Sequence, residues 1–297
     1  MSALVLINAE AGRVLDEGAD RIQEEIGEAL ARSGAAVRME VAPVPDLLRL
    51  LREAREDTVV TVGGDGTVGA VAGALAAMEA PPRFVPLPFG TANLFTRDLG
   101  LPLDPMEALE AAIGAETRRI DYARANEHPL LHSAVFGTFA EVAEAREHLR
   151  KARTPGEFFD ALAEAAGDLL RADPLDYHLV IDGEALDATT NAVFVTNNAI
   201  TGGERGVPVR ERLDAGELVV YLSDSVGPLG FIKRVIEAVT GGFDDSDGII
   251  RHVCRTATVT SGGGPLVYSA DGEVIDDERE VRFVIEPGAL GVPDLRR

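Results

Sequence analysis

The sequence predicts an N-terminal α/β domain built on a parallel sheet, followed by a second domain of antiparallel β-structure with a helical insertion. Three observations carry this. Short apolar runs alternate with apolar residues at helical spacing through the first part of the chain, and from about residue 128 the rhythm changes to short β-rich runs broken by Asp-Gly and Gly-Gly turns. Between an apolar run and a helical pattern lies Gly63-Gly64-Asp65-Gly66-Thr67, where a parallel sheet would place a strand-to-helix turn.

In the first domain the strands are expected at 3–7 (ALVLI), 35–41 (AAVRMEV), 58–62 (TVVTV) and 83–87 (RFVPL). Unbroken apolar runs of this length suit strands covered on both faces. Between them Ile22, Ile26 and Leu30 recur at helical spacing, and Leu47, Leu48, Leu51 and Ala54 repeat the pattern, so helices should cover the sheet. "TVGAVAGALAAM" behind the glycine turn reads as a helix, and so does 93–99. In the second domain one helical stretch, about 138–171, precedes β-rich runs at 177–182, 191–196, 217–222, 251–260, 265–269 and 280–285. With no internal repeat and no low-complexity linker, the domains are expected at 1–124 and 125–286, the closing strand at about 287–297 returning to the first.

Composition excludes several classes of function. A chain of 297 residues with 46% hydrophobic content can bury two cores. The formal charge of −22 argues against nucleic-acid binding, since a phosphate backbone would be repelled. No apolar run is long enough to span a bilayer, and Met1 leads into "ALVLINAEAG" without a basic n-region or cleavage site, so the expected compartment is the cytoplasm, with any membrane contact peripheral at its inner face. One cysteine, Cys254, cannot form an internal disulfide and reads as a packed thiol in "IIRHVCRTATVT".

The glycine turn would lie at the carboxyl edge of the parallel sheet, where open α/β sheets bind ligands. Glycines there would take positive φ and aim backbone N–H groups at a phosphate, helped by the positive end of the following helix. Asp65 would repel phosphate alone, and with Mg²⁺ between them becomes a metal or water partner. The pentapeptide by itself is equally a tight turn with a helix-capping aspartate.

At this point the sequence resembles the diacylglycerol kinase catalytic family, which includes sphingosine kinases and bacterial lipid kinases. Four blocks match in order: "NAEAG" (8–12), "GGDGT" (63–67), "PFGTANLFTRDLGLP" (88–102) and "SADGEVID" (269–276), with "VIEPGALGV" similar to the closing strand. The resemblance implies an α/β nucleotide domain (NAD kinase/diacylglycerol kinase-like), a β-sandwich second domain and a nucleotide site in the interdomain cleft. It implies ATP and Mg²⁺ as cofactors, with Asn8, Gly63, Gly64, Asp65, Gly66, Thr67 and Thr91 contacting the nucleotide and Asn93 holding the 88–93 loop. It also implies phosphate contacts from Arg146 and Arg150, with Arg153 beside them, on the helix after the boundary, although the residues alone read equally as a solvated helix face with i, i+4 pairs such as Glu147 and Lys151. Asp271 would accept the proton of a lipid hydroxyl, Glu273 lying close to the nucleotide or its Mg²⁺, and Asp65 is the rival base. Asp121 would join a water-mediated carboxylate network with Asp65 and Asp271. "RERLDAGEL" resembles a structural Mg²⁺ loop of which Asp214 is retained.

The expected function is an ATP- and Mg²⁺-dependent kinase acting on diacylglycerol or a related lipid, making contact with the membrane peripherally. Homodimerisation and the acceptor lipid stay open. The alternatives are a kinase of the NAD kinase type and a nucleotide-binding regulator without acceptor chemistry. A second Asp-Gly-Glu, at 182–184, falls between two strand-like runs and reads as a hairpin turn rather than a site. In "TPGEFFDALAEAAGDLLRA", Phe158, Phe159, Leu162, Leu169 and Leu170 line one face, which suits a helix buried on the β-domain better than a membrane helix, given its acidic polar face.

Overall fold

The computed structural model describes residues 2–91, 93–137, 174–190, 192–200, 202–204, 207–210, 212–223 and 249–296. The helix expected at 138–171, with Arg146, Arg150, Arg153 and the Phe158 face, lies outside the described residues, as does Ala92. By its own contacts the chain divides into unit 1, Met1–Tyr122 with Pro287–Arg297, and unit 2, Ala123–Glu286.

Unit 1 runs β1 (Ser2–Asn8), α1 (Gly12–Glu17), α2 (Ala19–Arg32), β2 (Ala36–Ala42), α3 (Val44–Arg52), β3 (Thr58–Gly63), α4 (Asp65–Ala76), β4 (Arg83–Pro88), α5 (Leu94–Asp98) and α6 (Pro105–Gly114). Its four strands form a parallel sheet in the order β2-β1-β3-β4, with Val5 opposite Met39 on one side and Val60 on the other. The central strands β1 and β3 are almost wholly buried, whereas the edge strand β2 alternates with solvent. That contrast is what continuous apolar runs and an alternating run should produce. Helix α2 buries Ile22, Ile26 and Leu30, and α3 buries Leu47 and Leu51. α6 was not among the expected helices. It is opened by Asp104, whose carboxylate accepts from the Met106 and Glu107 N–H groups, with Pro105 in the first turn.

The chain leaves unit 1 within β5 (Glu116–Ala125) and returns within the last strand, β18 (Glu280–Asp294). Between them come β6 (His128–Leu130), β7 (Ser133–Gly137), β8 (Leu175–Ile181), β9 (Glu184–Thr190), β10 (Ala192–Asn197), β11 (Gly202–Glu204), β12 (Val207–Val209), β13 (Leu218–Ser223), β14 (Ile249–Cys254), β15 (Thr256–Ser261), β16 (Leu266–Ala270) and β17 (Glu273–Glu278). They pair into two six-stranded sheets, β14-β13-β10-β7-β16-β17 and β6-β5-β18-β15-β8-β9, with β11 and β12 as a separate ribbon. One buried apolar cluster takes side chains from both sheets, so unit 2 is a β-sandwich. At its centre Phe136 stacks on Tyr268 at 4.9 Å and meets Phe283 edge-on at 5.8 Å, the offset and T-shaped arrangements that aromatic quadrupoles favour.

The run 251–260, expected as one strand, is two. It breaks at Arg255, whose N–H turns aside to the Asp182 carboxylate at 3.0 Å.

Candidate active site

In unit 1, β3 ends at Gly63 and α4 begins at Asp65, so the glycine turn is one residue wide. Gly64 is the N-cap, with φ −77 and ψ 178, an ordinary extended conformation, and neither Gly63, Gly64 nor Gly66 has positive φ. The expectation of left-handed glycines is therefore corrected. Space, not handedness, calls for glycine. A Cβ on Gly63 would come within 2.6–2.7 Å of the Thr67 side chain, while one on Gly64 would meet only the Gly90 Cα, at 3.8 Å. The N-cap, Gly64, has no side chain to cap α4, so the first N–H groups of the helix, which have no intrahelical partner, can meet an anion, apart from that of Asp65, which bonds its own carboxylate.

Asn8, at the end of β1, donates from Nδ2 to Thr67 Oγ1 at 2.9 Å, and both residues are buried. Its Oδ1 accepts from the Glu10 N–H at 3.0 Å. The Asn8 and Thr67 side chains thus fix the first turn of α4 from beneath, and Thr91 is exposed nearby in sequence to the Gly90 turn. Asn93 brackets Gly90: its Oδ1 accepts the Gly90 N–H and its Nδ2 donates to the Gly90 carbonyl, both at 2.8 Å. To do so it sits in the left-handed region at φ 49, which asparagine tolerates better than most residues. Gly90, which the sequence reading did not single out, is where these groups converge. A Cβ there would lie 2.9 Å from Asp65 Oδ2, 3.0 Å from Asn93 Oδ1 and 3.1 Å from the Gly64 Cα.

Asp65 caps a helix, although not its own. Its carboxylate reaches across to the start of α5, Oδ2 accepting from the Asn93 N–H and Oδ1 from the Leu94 N–H, each at 3.1 Å. Burial raises its pKa, against the pull of these donors and of Arg97. The glycine turn and the 88–94 loop are thereby tied into one frame.

In unit 2, Asp271 and Gly272 form the two-residue turn between β16 and β17, with φ 47 and 88, a type I′ hairpin. The Asp271 carboxylate accepts three backbone N–H bonds, from Leu131 at 2.6 Å, His132 at 2.9 Å and Ser133 at 2.8 Å. A carboxylate offers about four acceptor positions, so one is left. Burial pushes its pKa up to about 6, although the three donors and the Arg210 guanidinium pull the other way. The turn delivers Glu273, exposed, at the head of β17.

The strip 130–133 that feeds Asp271 is held from its other side by groups the sequence reading passed over. Asn197 Nδ2 donates to the Leu130 and Leu131 carbonyls at 3.2 and 3.4 Å, and its N–H donates to the His132 carbonyl at 3.0 Å. Arg210, only 1% exposed, donates from Nη1 to the Asn197 carbonyl. Its sole signal was an arginine inside "RERLDAGEL", indistinguishable from a solvated one.

Of the remaining expected residues, Asp121 is buried and accepts from the Gly288 N–H at 2.9 Å within unit 1. Asp214 faces Arg212 Nε at 3.3 Å. Among the described residues no three His, Cys, Asp or Glu side chains gather as a metal cluster. Asn8, Gly63, Gly64, Asp65, Thr67 and Asn93 are brought together in unit 1; Asp271 and Glu273 share a turn in unit 2.

Residues 2–125 match the diacylglycerol kinase catalytic domain, and residues 133–293 match the YegS C-terminal NAD kinase beta sandwich-like domain. The chain is 31% identical, over 97% of its length and 92% of the relative's, to a Pseudomonas aeruginosa protein named "Probable lipid kinase YegS-like". A Chromohalobacter salexigens protein of the same name is 38% identical over 82% of this chain and 79% of its own. A Staphylococcus aureus protein named diacylglycerol kinase is 27% identical, over 73% and 68%. In fold, the chain is similar to a crystal structure of a diacylglycerol kinase from Bacillus anthracis, with a TM-score of 0.72 at 19% identity over 99% of this chain and 96% of that one. The glycine frame and the β-sandwich thus occur here in a chain that belongs to the diacylglycerol kinase catalytic family, with the YegS-type C-terminal domain.

Proposed function

We propose that this protein is an ATP-dependent lipid kinase that transfers the γ-phosphoryl group to a lipid hydroxyl, with diacylglycerol as the first acceptor to test. The observation that carries the reading is the uncapped N-terminus of α4 at the end of β3, opened by Gly63 and Gly64 and tied through Asp65 and Asn93 to the Gly90 turn. Such a frame offers backbone N–H donors to phosphate without side chains in the way. The relatives' names supply the lipid.

In this reading unit 1 holds the nucleotide and unit 2 activates the acceptor. Asn8 and Thr67 keep the α4 turn in place, Thr91 and the Gly63–Thr67 backbone contact the nucleotide, and Arg146 and Arg150 add charge to the phosphates. Asp271, oriented by three N–H bonds and with one acceptor position left, takes the hydroxyl proton. The hydroxyl oxygen then bonds to the γ-phosphorus as the bond to the β-γ bridging oxygen breaks, and ADP leaves. Glu273, exposed at the same turn, lies close to the nucleotide or its Mg²⁺ in this reading. Mg²⁺ bound with ATP would neutralise charge developing on the phosphates. It suits this site as an ion held chiefly by phosphate and water, with Asp65 as the candidate carboxylate; Asp214 belongs to the loop that resembles a separate structural Mg²⁺ site, where it faces Arg212. In this reading contact with the membrane would be peripheral; no described helix is long and apolar enough to cross one.

The test is transfer of labelled phosphate from ATP to diacylglycerol, sphingoid bases, ceramide and NAD, with and without Mg²⁺. Labelled phosphatidic acid formed only with Mg²⁺ supports the reading. Labelled NADP would replace it with the NAD kinase type, and ATP binding without transfer to any acceptor would favour a regulator.

A further inference from the structure

Arg210 is a cation sealed in unit 2, 1% exposed, and burying a guanidinium is costly unless its hydrogen bonds are well made. One of those bonds leads to Asp271 by way of Asn197 and the 130–133 backbone. Arg210 Nη1 donates to the Asn197 carbonyl, and Asn197 in turn holds three carbonyls of the strip 130–132: its Nδ2 donates to Leu130 and Leu131, and its N–H to His132. The Asn198 Nδ2 donates to Asn197 Oδ1 at 3.0 Å, which sets the Asn197 amide so that its own Nδ2 faces the strip. From the opposite edge of the strip the Leu131, His132 and Ser133 N–H groups converge on the Asp271 carboxylate at 2.6–2.9 Å. The strip is gripped by its carbonyls on one side and spends its amides on one carboxylate on the other.

We propose that Arg210 is a positioning residue for Asp271, acting through Asn197 to hold the 130–133 backbone where its three N–H groups orient the carboxylate. The inference rests on the proposed role of Asp271 as base only for its effect on turnover; the effect on the strip stands apart from it. A second Asp-Gly turn supplies a control inside the same unit. Asp182 likewise accepts backbone N–H bonds, from Arg255 and Thr256 at 2.9–3.2 Å, and neither donor is bonded to Arg210 or Asn197.

The experiment compares Arg210→Met and Arg210→Lys with the wild-type chain. Hydrogen exchange of assigned backbone amides is the direct readout. Protection at Leu131, His132 and Ser133 should fall about tenfold or more in Arg210→Met, the size of one charge-assisted hydrogen bond lost, while Arg255 and Thr256 keep theirs. Arg210→Lys keeps the charge but not the planar fork and should fall between. In the kinase assay kcat should drop about 10–100-fold with KM for ATP unchanged. Unaltered protection at the three amides overturns the inference, and so does equal loss at Arg255 and Thr256, which would mark a general loosening. If Arg210→Met does not fold, the same comparison in Arg210→Lys decides it. Full turnover in Asp271→Asn would instead refute the role of Asp271 and leave the exchange result to decide that of Arg210.

Discussion

Asp271 and Asp182 occupy the same turn. Each is followed by glycine and glutamate, each has φ 47 with the next glycine at 88, and each docks its carboxylate on backbone N–H groups of a distant segment. Each also donates its own N–H to a backbone carbonyl of that segment, Ser133 or Thr256. The turn geometry is therefore a fastening device of this sandwich and confers no chemistry by itself. The environments differ. Asp182 is exposed and its pKa is lowered, burial being outweighed by the Thr256 and Arg255 donors, whereas burial lifts Asp271 to about 6.

The pair predicts opposite behaviour on neutralisation. Asp182→Asn should leave turnover within about twofold and cost about 1 kcal/mol of stability, as a hydrogen-bonded turn residue does. Its lowered pKa gives stability that is present above the unfolded carboxylate value near 4 and lost as pH falls through the folded value. Denaturant titration of Asp182→Asn at pH 7 and pH 3 should show the difference from wild type shrinking at the lower pH.

Asp271 titrates in the other sense. With its folded pKa raised to about 6, ionisation works against folding, so its contribution to stability declines as pH rises from about 4 to about 6 and is constant above. A base must be ionised, so kcat/KM should fall tenfold per pH unit below about 6 and level off above it. A pH profile flat between 5 and 7 would remove Asp271 as the base.

At the glycine turn the two central residues should separate. Gly63→Ala places a methyl against Thr67, within 2.7 Å, and should destabilise unit 1 by about 1–3 kcal/mol as overpacking does. Gly64→Ala has room and an ordinary φ, so its stability should be unchanged within about 0.5 kcal/mol. Any loss of ATP affinity in Gly64→Ala then reports a methyl in the path of phosphate. Thermal unfolding and calorimetric ATP titration of both variants make the comparison.

Asp65 is predicted to work through the loop it caps. Asp65→Asn loses one of two acceptor bonds to Asn93 and Leu94, and ATP affinity should fall about tenfold, the worth of one charge-assisted hydrogen bond. Raising Mg²⁺ should not restore it. Recovery with excess Mg²⁺ would make the metal contact the dominant role of this carboxylate.

Cys254 is 3% exposed and its thiol is pushed up to about 12 by burial, with help from Asp182 and Glu217. It should resist iodoacetamide in the folded protein and react only on unfolding, which mass spectrometry at increasing denaturant would follow.

The parallel sheet was readable because burial on both faces writes strands as unbroken apolar runs: 58–62 was expected and Thr58–Gly63 is found. Strands with a wet face left no such mark. "EALDATT" is β9, exposed along much of its length, and "ETRRIDYARA" is β5, which meets solvent at Glu116, Thr117 and Arg119 before it is buried; both are defined by their partners. The break at Arg255 depends on a carboxylate 73 residues earlier in the chain, which no local pattern records. The place of the glycine turn was legible but the reason for its glycines was not, since the contacts that demand them come from Thr67 and, at Gly90, from Asp65 and Asn93. Arg210, Asn197 and His132 escaped notice for a related reason. Polar residues read as surface until the fold shows them buried.

The most direct measurement is transfer of labelled phosphate from ATP to diacylglycerol by the wild-type chain and by Asp271→Asn at pH 7.5, with ATP binding measured alongside. The account predicts phosphatidic acid from the wild type, a loss of about 10²–10⁴ in kcat for the variant, and ATP affinity unchanged within about threefold. Near-wild-type turnover by Asp271→Asn, or no transfer to diacylglycerol or any other lipid by a wild-type chain that binds ATP, would contradict it.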